Sequence, residues 1–182
     1  MRFPAAFVMA AILAWPLAAS AADPLPPSTD PALSAQANAD YLAANAKKKG
    51  VIVKPDGLQI RMLQNGFGRR PAATDSVEVY YTGALINGRV FDGTSPGLPA
   101  NFKVNQVIPG WIEALQLMRE GDHWQLVIPS NLGYGARGAG KLIPPDQTLV
   151  FDMTLVATTP APRRGEPGYV PDPNDPDDKP QR

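Results

Sequence analysis

Apolar residues recur along this chain with two different periods, and the places where the period changes mark its elements. "SVEVYYTGAL", residues 76–85, alternates and is rich in β-formers, which predicts a strand. "HWQLVIP" and "QTLVFDMTLVA" alternate as well. The first sends Trp124, Leu126 and Ile128 toward the core and His123 toward solvent; the second puts Leu149, Phe151, Met153 and Leu155 on one face. "DGLQIRMLQNG" reads as a strand after a turn, and Asn87-Gly88 predicts a two-residue hairpin between "GALI" and "RVFD". Within this stretch only "WIEALQLM" has helical spacing, with Trp111, Leu115 and Met118 on one side and Gly121 as the stop.

A second helix precedes the strands. Asp30 and Pro31 read as its N-cap and first residue, Gly50 as its end, and Lys47 to Lys49 occupy its last turn, where the helix dipole favours cations. Its apolar residues are mostly alanine, so its packing face is weak; it either lies against the domain or mediates association. Antiparallel strands around one short helix give the α+β class, a curved sheet wrapping a helix. The predicted divisions are a signal segment at 1–21, an N-terminal linker and short helix at 22–50, the folded domain at 51–158 and a Pro/Asp-rich tail at 159–182. That tail lacks the apolar residues to form a core and is expected to be disordered.

Composition narrows the setting. Arg2, the apolar run from Phe3 to Ala19 and the Ala19-Ser20-Ala21 triplet fit an export signal cleaved after Ala21. The same run is long enough for an uncleaved anchor, although Pro16 suits a signal better. With no cysteine, the chain has neither disulfides nor a lipid-acceptor residue, so packing must supply its stability. A periplasmic or secreted location is expected. Charges total 17 basic and 17 acidic, and removing Arg2 leaves 16 against 17, which gives no electrostatic case for nucleic acid or for a membrane surface as partner.

Three short motifs suggest enzymes of other kinds, and each fails on its surroundings. Gly133, Gly135 and Gly138 spell G-x-G-x-x-G, but Pro144, Pro145 and then a strand follow where a helix must begin. Gly135, Gly140 and Lys141 approach a P-loop, but Leu142 replaces the magnesium-holding hydroxyl. Gly93-Thr94-Ser95-Pro96-Gly97 has nucleophile-elbow spacing, but Pro96 has no N–H to offer an oxyanion. One histidine and no cysteine argue against a metal site, and no cofactor is expected.

What remains is aromatic and apolar. "VEVYYTGALINGRVFDGT", "VNQVIPGWIEALQLMREGDHWQLVIPS" and "LGYGARGAGKLIPPDQTLVFDMTLV" together resemble the FKBP-type peptidyl-prolyl cis-trans isomerases, continuously from about Gly57 to Val156. "YLAANAKKKGVIVKPDGLQIRML" is similar to the region ahead of the domain in the bacterial macrophage-infectivity-potentiator and FkpA-like subgroup. The resemblance implies a proline pocket floored by Trp111, walled by Tyr81, Phe91, Phe102, Val107, Ile108 and Phe151, and rimmed by Asp92, Tyr134 and Ile143. It also implies that the Ile108 N–H and the Tyr134 hydroxyl bond the ligand, and that the glycine-rich stretch is a flap over the groove.

The pattern departs from the family at three places. The Phe102–Val107 segment is about two residues short, Ala139 replaces a bulky flap residue, and Tyr80 replaces a histidine. The implied activity is isomerisation of Xaa-Pro bonds in exported, incompletely folded chains, with rapamycin-type macrolides as further ligands. The alternative is a non-catalytic periplasmic chaperone that uses the same groove. The resemblance implies a longer helical N-terminal arm in dimeric members; with only about twenty residues for it here, a monomer is expected.

Overall fold

The computed structural model describes residues 26–162 together with Glu166 and Pro167. The expected signal segment and most of the expected tail lie outside the described residues. Seven strands, β1 (Val51–Val53), β2 (Gln59–Gln64), β3 (Ser76–Leu85), β4 (Val90–Gly93), β5 (Ala100–Lys103), β6 (His123–Ile128) and β7 (Leu149–Thr159), form one antiparallel sheet. Its order is β1-β2-β6-β7-β3-β4, with β5 also on β3. One edge of β3 pairs with β7 along its whole length, while the other meets β5 at Ser76–Val79 and β4 at Thr82–Ala84. The helix α2 (Pro109–Leu117) lies against one face of this sheet.

The alternation seen in the sequence is the cause of this packing. Leu149, Phe151, Met153 and Leu155 are all fully buried, and Trp124, Leu126 and Ile128 join them from β6. From α2, Trp111, Ala114, Leu115 and the capping residue Met118 fill the space between. Gly110 lets the helix come close, since a Cβ there would sit 2.7 Å from Ile128 Cγ2.

Two expectations are corrected. The β3–β4 connection is not a two-residue turn, because Asn87 does not take the positive φ that such a turn needs. Leu85 N–H instead donates to the Arg89 carbonyl at 3.0 Å, closing a three-residue loop in which Gly88 alone has φ of 84°. The N-terminal helix α1 runs over Ala35–Ala46, shorter than expected at both ends. Asp30 caps only a 3-10 turn, Pro31–Leu33, and Ser34 then breaks with ψ of 160° and caps α1 itself, its side chain accepting from Ala37 N–H. Lys47 is the C-cap, so Lys48 and Lys49 lie beyond the last turn.

The weak alanine face of α1 has a further consequence. Its buried residues are Asn38 and Asn45, seven apart on one side of the helix, and it docks on the domain through amide hydrogen bonds. Asn45 Nδ2 donates to Gln59 Oε1 at 2.8 Å, and Gln59 Nε2 donates to the Leu42 carbonyl at 3.0 Å. Leu33, just ahead of the helix, is 2 % exposed and belongs to the main apolar cluster.

Candidate active site

Five of the residues named from the sequence meet as aromatic rings. Trp111 is at the centre: the ring of Tyr81 lies 5.1 Å away at 87°, Phe151 at 5.2 Å and 78°, and Phe102 at 5.6 Å and 87°. Phe91 packs on Phe151 at 5.6 Å and 87°. Nearly all of these contacts are edge-to-face, the arrangement that brings the positive ring edge onto a negative face. The shortened Phe102–Val107 segment therefore still delivers Phe102 to the indole.

The backbone explains how these rings converge. Tyr81 points inward from β3, and Phe151 comes from β7 opposite Gly83. Gly83 has no Cβ because there is no room for one: it would lie 2.7 Å from both Phe91 and Phe151 ring atoms. On β4 the register shifts between Gly83↔Asp92 and Ala84↔Val90, leaving Phe91 as the extra residue of a bulge. The bulge allows neighbouring Phe91 and Asp92 both to be buried, at 6 % and 3 % exposure, where a regular strand would turn one outward.

Asp92 does not stand alone in this apolar setting. Tyr81 O–H donates to its Oδ2 at 2.7 Å, and Gly93 N–H donates to its Oδ1 at 2.9 Å. Burial first, and the hydrogen bond to Asp92 second, push the Tyr81 phenol well above the usual tyrosine range. Burial first, and the charge of Asp92 second, raise the Tyr134 phenol in the same direction. Thr94, not anticipated from the sequence, ties the strand ends together: its Oγ1 accepts from Tyr81 N–H at 3.1 Å and donates to the Tyr81 carbonyl at 3.3 Å.

Val107 and Ile108 are buried immediately before α2, and the Ile108 carbonyl accepts the Trp111 and Ile112 N–H groups as the helix begins. Among the hydrogen bonds of the described residues, neither the Ile108 N–H nor the Trp111 Nε1–H has an acceptor. Ile143 is buried and pairs with Ala139 across a short hairpin, Ala139 N–H to Ile143 O at 2.8 Å and the reverse at 3.1 Å. This hairpin is the glycine-rich stretch; Gly135–Arg137 is a single 3-10 turn, far short of the helix a dinucleotide cradle requires. Trp111 and Phe151 are fully buried, while Phe102 and Tyr134 are the partly exposed members of the cluster.

His123 lies apart from this cluster, paired with Asp152 at 2.6 Å at the surface. A separate cavity of about 410 Å³, lined by Met62, Phe67, Leu117 and Trp124 with Arg70 and Arg119, contains none of the pocket residues named from the sequence. No cluster of three or more potential metal ligands exists among the described residues.

The family model for FKBP-type peptidyl-prolyl cis-trans isomerases matches residues 68–156. The chain is similar to the FKBP-type 22 kDa peptidyl-prolyl cis-trans isomerase of Escherichia coli K12, 56% identical over 117 residues, which cover 64% of this chain and 57% of that one. It is 48% identical over 118 residues to the outer membrane protein MIP of Legionella longbeachae, covering 64% and 51%. It therefore spans a little over half the length of these two curated relatives. A crystal structure of a peptidyl-prolyl cis-trans isomerase from Pseudomonas syringae pv. tomato DC3000 superposes with a TM-score of 0.66 at 40% identity, over 75% of this chain and 99% of that one. FkpA of Escherichia coli gives the same score and identity over 70% and 60%.

Proposed function

This chain belongs to the FKBP-type peptidyl-prolyl cis-trans isomerase family, and from that membership we propose that it accelerates rotation about Xaa-Pro bonds in exported proteins as they fold. The observation that carries the reading is the ring cluster itself: Tyr81, Phe102 and Phe151 around the Trp111 indole, Phe91 behind Phe151, and a buried phenol–carboxylate pair at their edge. Rotation about an amide crosses a barrier of about 18–20 kcal/mol because twisting removes its resonance. No covalent bond is made or broken, so the reaction asks for neither a nucleophile nor a proton acceptor.

The chemistry follows from solvation. A planar amide is more strongly dipolar than a twisted one, and water stabilises the planar form. A dry aromatic surface withdraws that advantage, and only such preference for the twisted form speeds the reaction. Each ~1.4 kcal/mol of preference is worth about tenfold in rate. In this reading Trp111, Tyr81, Phe91, Phe102 and Phe151 seat the prolyl ring, with Val107 beside them. The free N–H of Ile108 and the Tyr134 hydroxyl hold flanking carbonyls, Ile143 covers the ring, and Asp92 fixes Tyr81 without acting as a base. Macrolides of the rapamycin type are expected to compete for the same surface.

An isomerisation assay on a short Xaa-Pro peptide tests the reading. Asp92→Ala and Phe151→Tyr are each expected to lower kcat/KM by about tenfold or more with the fold intact by near-UV circular dichroism; unchanged rates in both would remove the site assignment. Because Trp111 has no accessible surface in the free chain, binding must also change its surroundings, so peptide or macrolide is expected to alter tryptophan fluorescence. A chain that suppresses aggregation but shows no isomerisation would be a holding chaperone instead.

A further inference from the structure

The N-terminal helix reaches the candidate site through one side chain. The Thr148 N–H is 2 % exposed at the residue level and donates to Asn38 Oδ1 at 2.7 Å, a contact spanning 110 positions of sequence. The two hydrogens of Asn38 Nδ2 are shared among the Leu33 carbonyl at 3.2 Å, the Ser34 carbonyl at 3.0 Å and Gln147 Oε1 at 3.3 Å. Gln147 Nε2 in turn donates to the Leu33 carbonyl at 3.1 Å and the Pro145 carbonyl at 2.9 Å. Asn38, Gln147 and Thr148 are all buried, so these groups depend on one another for their bonds.

Gln147 and Thr148 form the return arm of the connection that carries Tyr134 and Ile143, and they lead directly into β7 and Phe151. The arm is tied to the outgoing side as well: Asp146, the one non-glycine residue with positive φ among those described (59°), donates its N–H to the Gly135 carbonyl at 2.9 Å, beside Tyr134. The arm that holds Thr148 is thus bonded to the backbone beside Tyr134 and continues the chain from Ile143. A second contact supports the same connection, Arg89 Nη2 to the Leu142 carbonyl at 2.9 Å. Asn87 on that hairpin bonds Asp30 of the N-terminal arm at 2.9 Å.

We infer that Asn38 is a positioning residue for the isomerase site: through Gln147 and Thr148 it sets where Tyr134 and Ile143 stand over the aromatic cluster. The inference rests on the proposed isomerase function. Attachment of a helix alone needs only apolar contact. A fully bonded buried amide network fixes one register instead, because any shift leaves a buried polar group without a partner. The same helix supplies an internal comparison. Asn45 is as deeply buried and bonds Gln59 at the β2 side, with no link to the connection that bears the rim.

The test compares Asn38→Ala and Asn45→Ala in the full chain with the Xaa-Pro peptide assay and thermal unfolding. Both are expected to lower the thermal midpoint. Only Asn38→Ala is expected to raise KM, by about tenfold, the scale of one or two lost hydrogen bonds, with kcat within about twofold. Equal KM effects in the two variants, or an unchanged KM in Asn38→Ala, overturn the inference. An inactive wild type overturns the isomerase reading instead. Should Asn38→Ala not fold, hydrogen exchange of the unaltered chain in dilute denaturant decides. The Thr148 and Ile143 amides opening together with α1 supports the coupling, and their staying protected while α1 opens refutes it.

Discussion

At Tyr81 the chain sets a phenol where it is 3 % exposed and gives it one strong acceptor, Asp92. A bond from a neutral donor to a buried carboxylate contributes about 1.5–3 kcal/mol, and losing either partner strands the other. Tyr81→Phe and Asp92→Ala are therefore expected to destabilise by less together than the sum of their separate effects, with a coupling of about 1 kcal/mol or more in a denaturant double-mutant cycle. The raised phenols also fix the response to pH. Both tyrosines hold their protons more tightly when folded than the ordinary value of 10.0 allows. That contribution is complete below about pH 10 and is lost as pH rises toward the folded-state values. Thermal midpoints are expected to fall above about pH 10, with the phenolate absorbance of these two residues appearing only as the chain unfolds. Early titration of every tyrosine in the folded chain would contradict this.

Among elements, the long strands were the legible ones. β3, β6 and β7 each bury one face, so their period of two is written into residue type. β1 and β5 have three and four residues and show no period, and neither is predicted as a strand. The start of α1 was misplaced because two capping signals, Asp30 and Ser34, follow one another and only the second opens an α-helix. Its docking face was invisible for a different reason: Asn38 and Asn45 are buried, and a hydrophobicity pattern reads amides as exposed. Tyr81, Asp92, Trp111 and their neighbours came from motif resemblance, which assigned no role to Thr94 or Gln147 and did not extend to Asn38. The seat of α2 depends on Gly110. Gly110→Ala is expected to push the helix off β6, costing about 1–3 kcal/mol, and to slow isomerisation because Trp111 is its neighbour. A stable, fully active Gly110→Ala chain would show that the approach is not tight.

For the whole molecule, β7 joins the two halves of the sheet, and its last residues hold more than the family match at 68–156 includes. Ala157, Thr158 and Thr159 pair with Glu78, Val77 and Ser76, Thr158 N–H donates to Glu120 at 2.7 Å, and Ala161 N–H donates to Asp75 at 3.1 Å. A chain ending at Val156 is expected to lose roughly 10 °C or more in its calorimetric midpoint relative to the full chain. Equal midpoints would mean that these pairings contribute nothing. The amide latch between α1 and the domain has its own thermal signature. Releasing it exposes buried amides together with the Leu33 side chain, so the step carries a smaller heat-capacity increment than melting of the sheet. Chilling, which weakens oily contacts, would therefore loosen the seat of Leu33 before the amide bonds of Asn38 and Asn45.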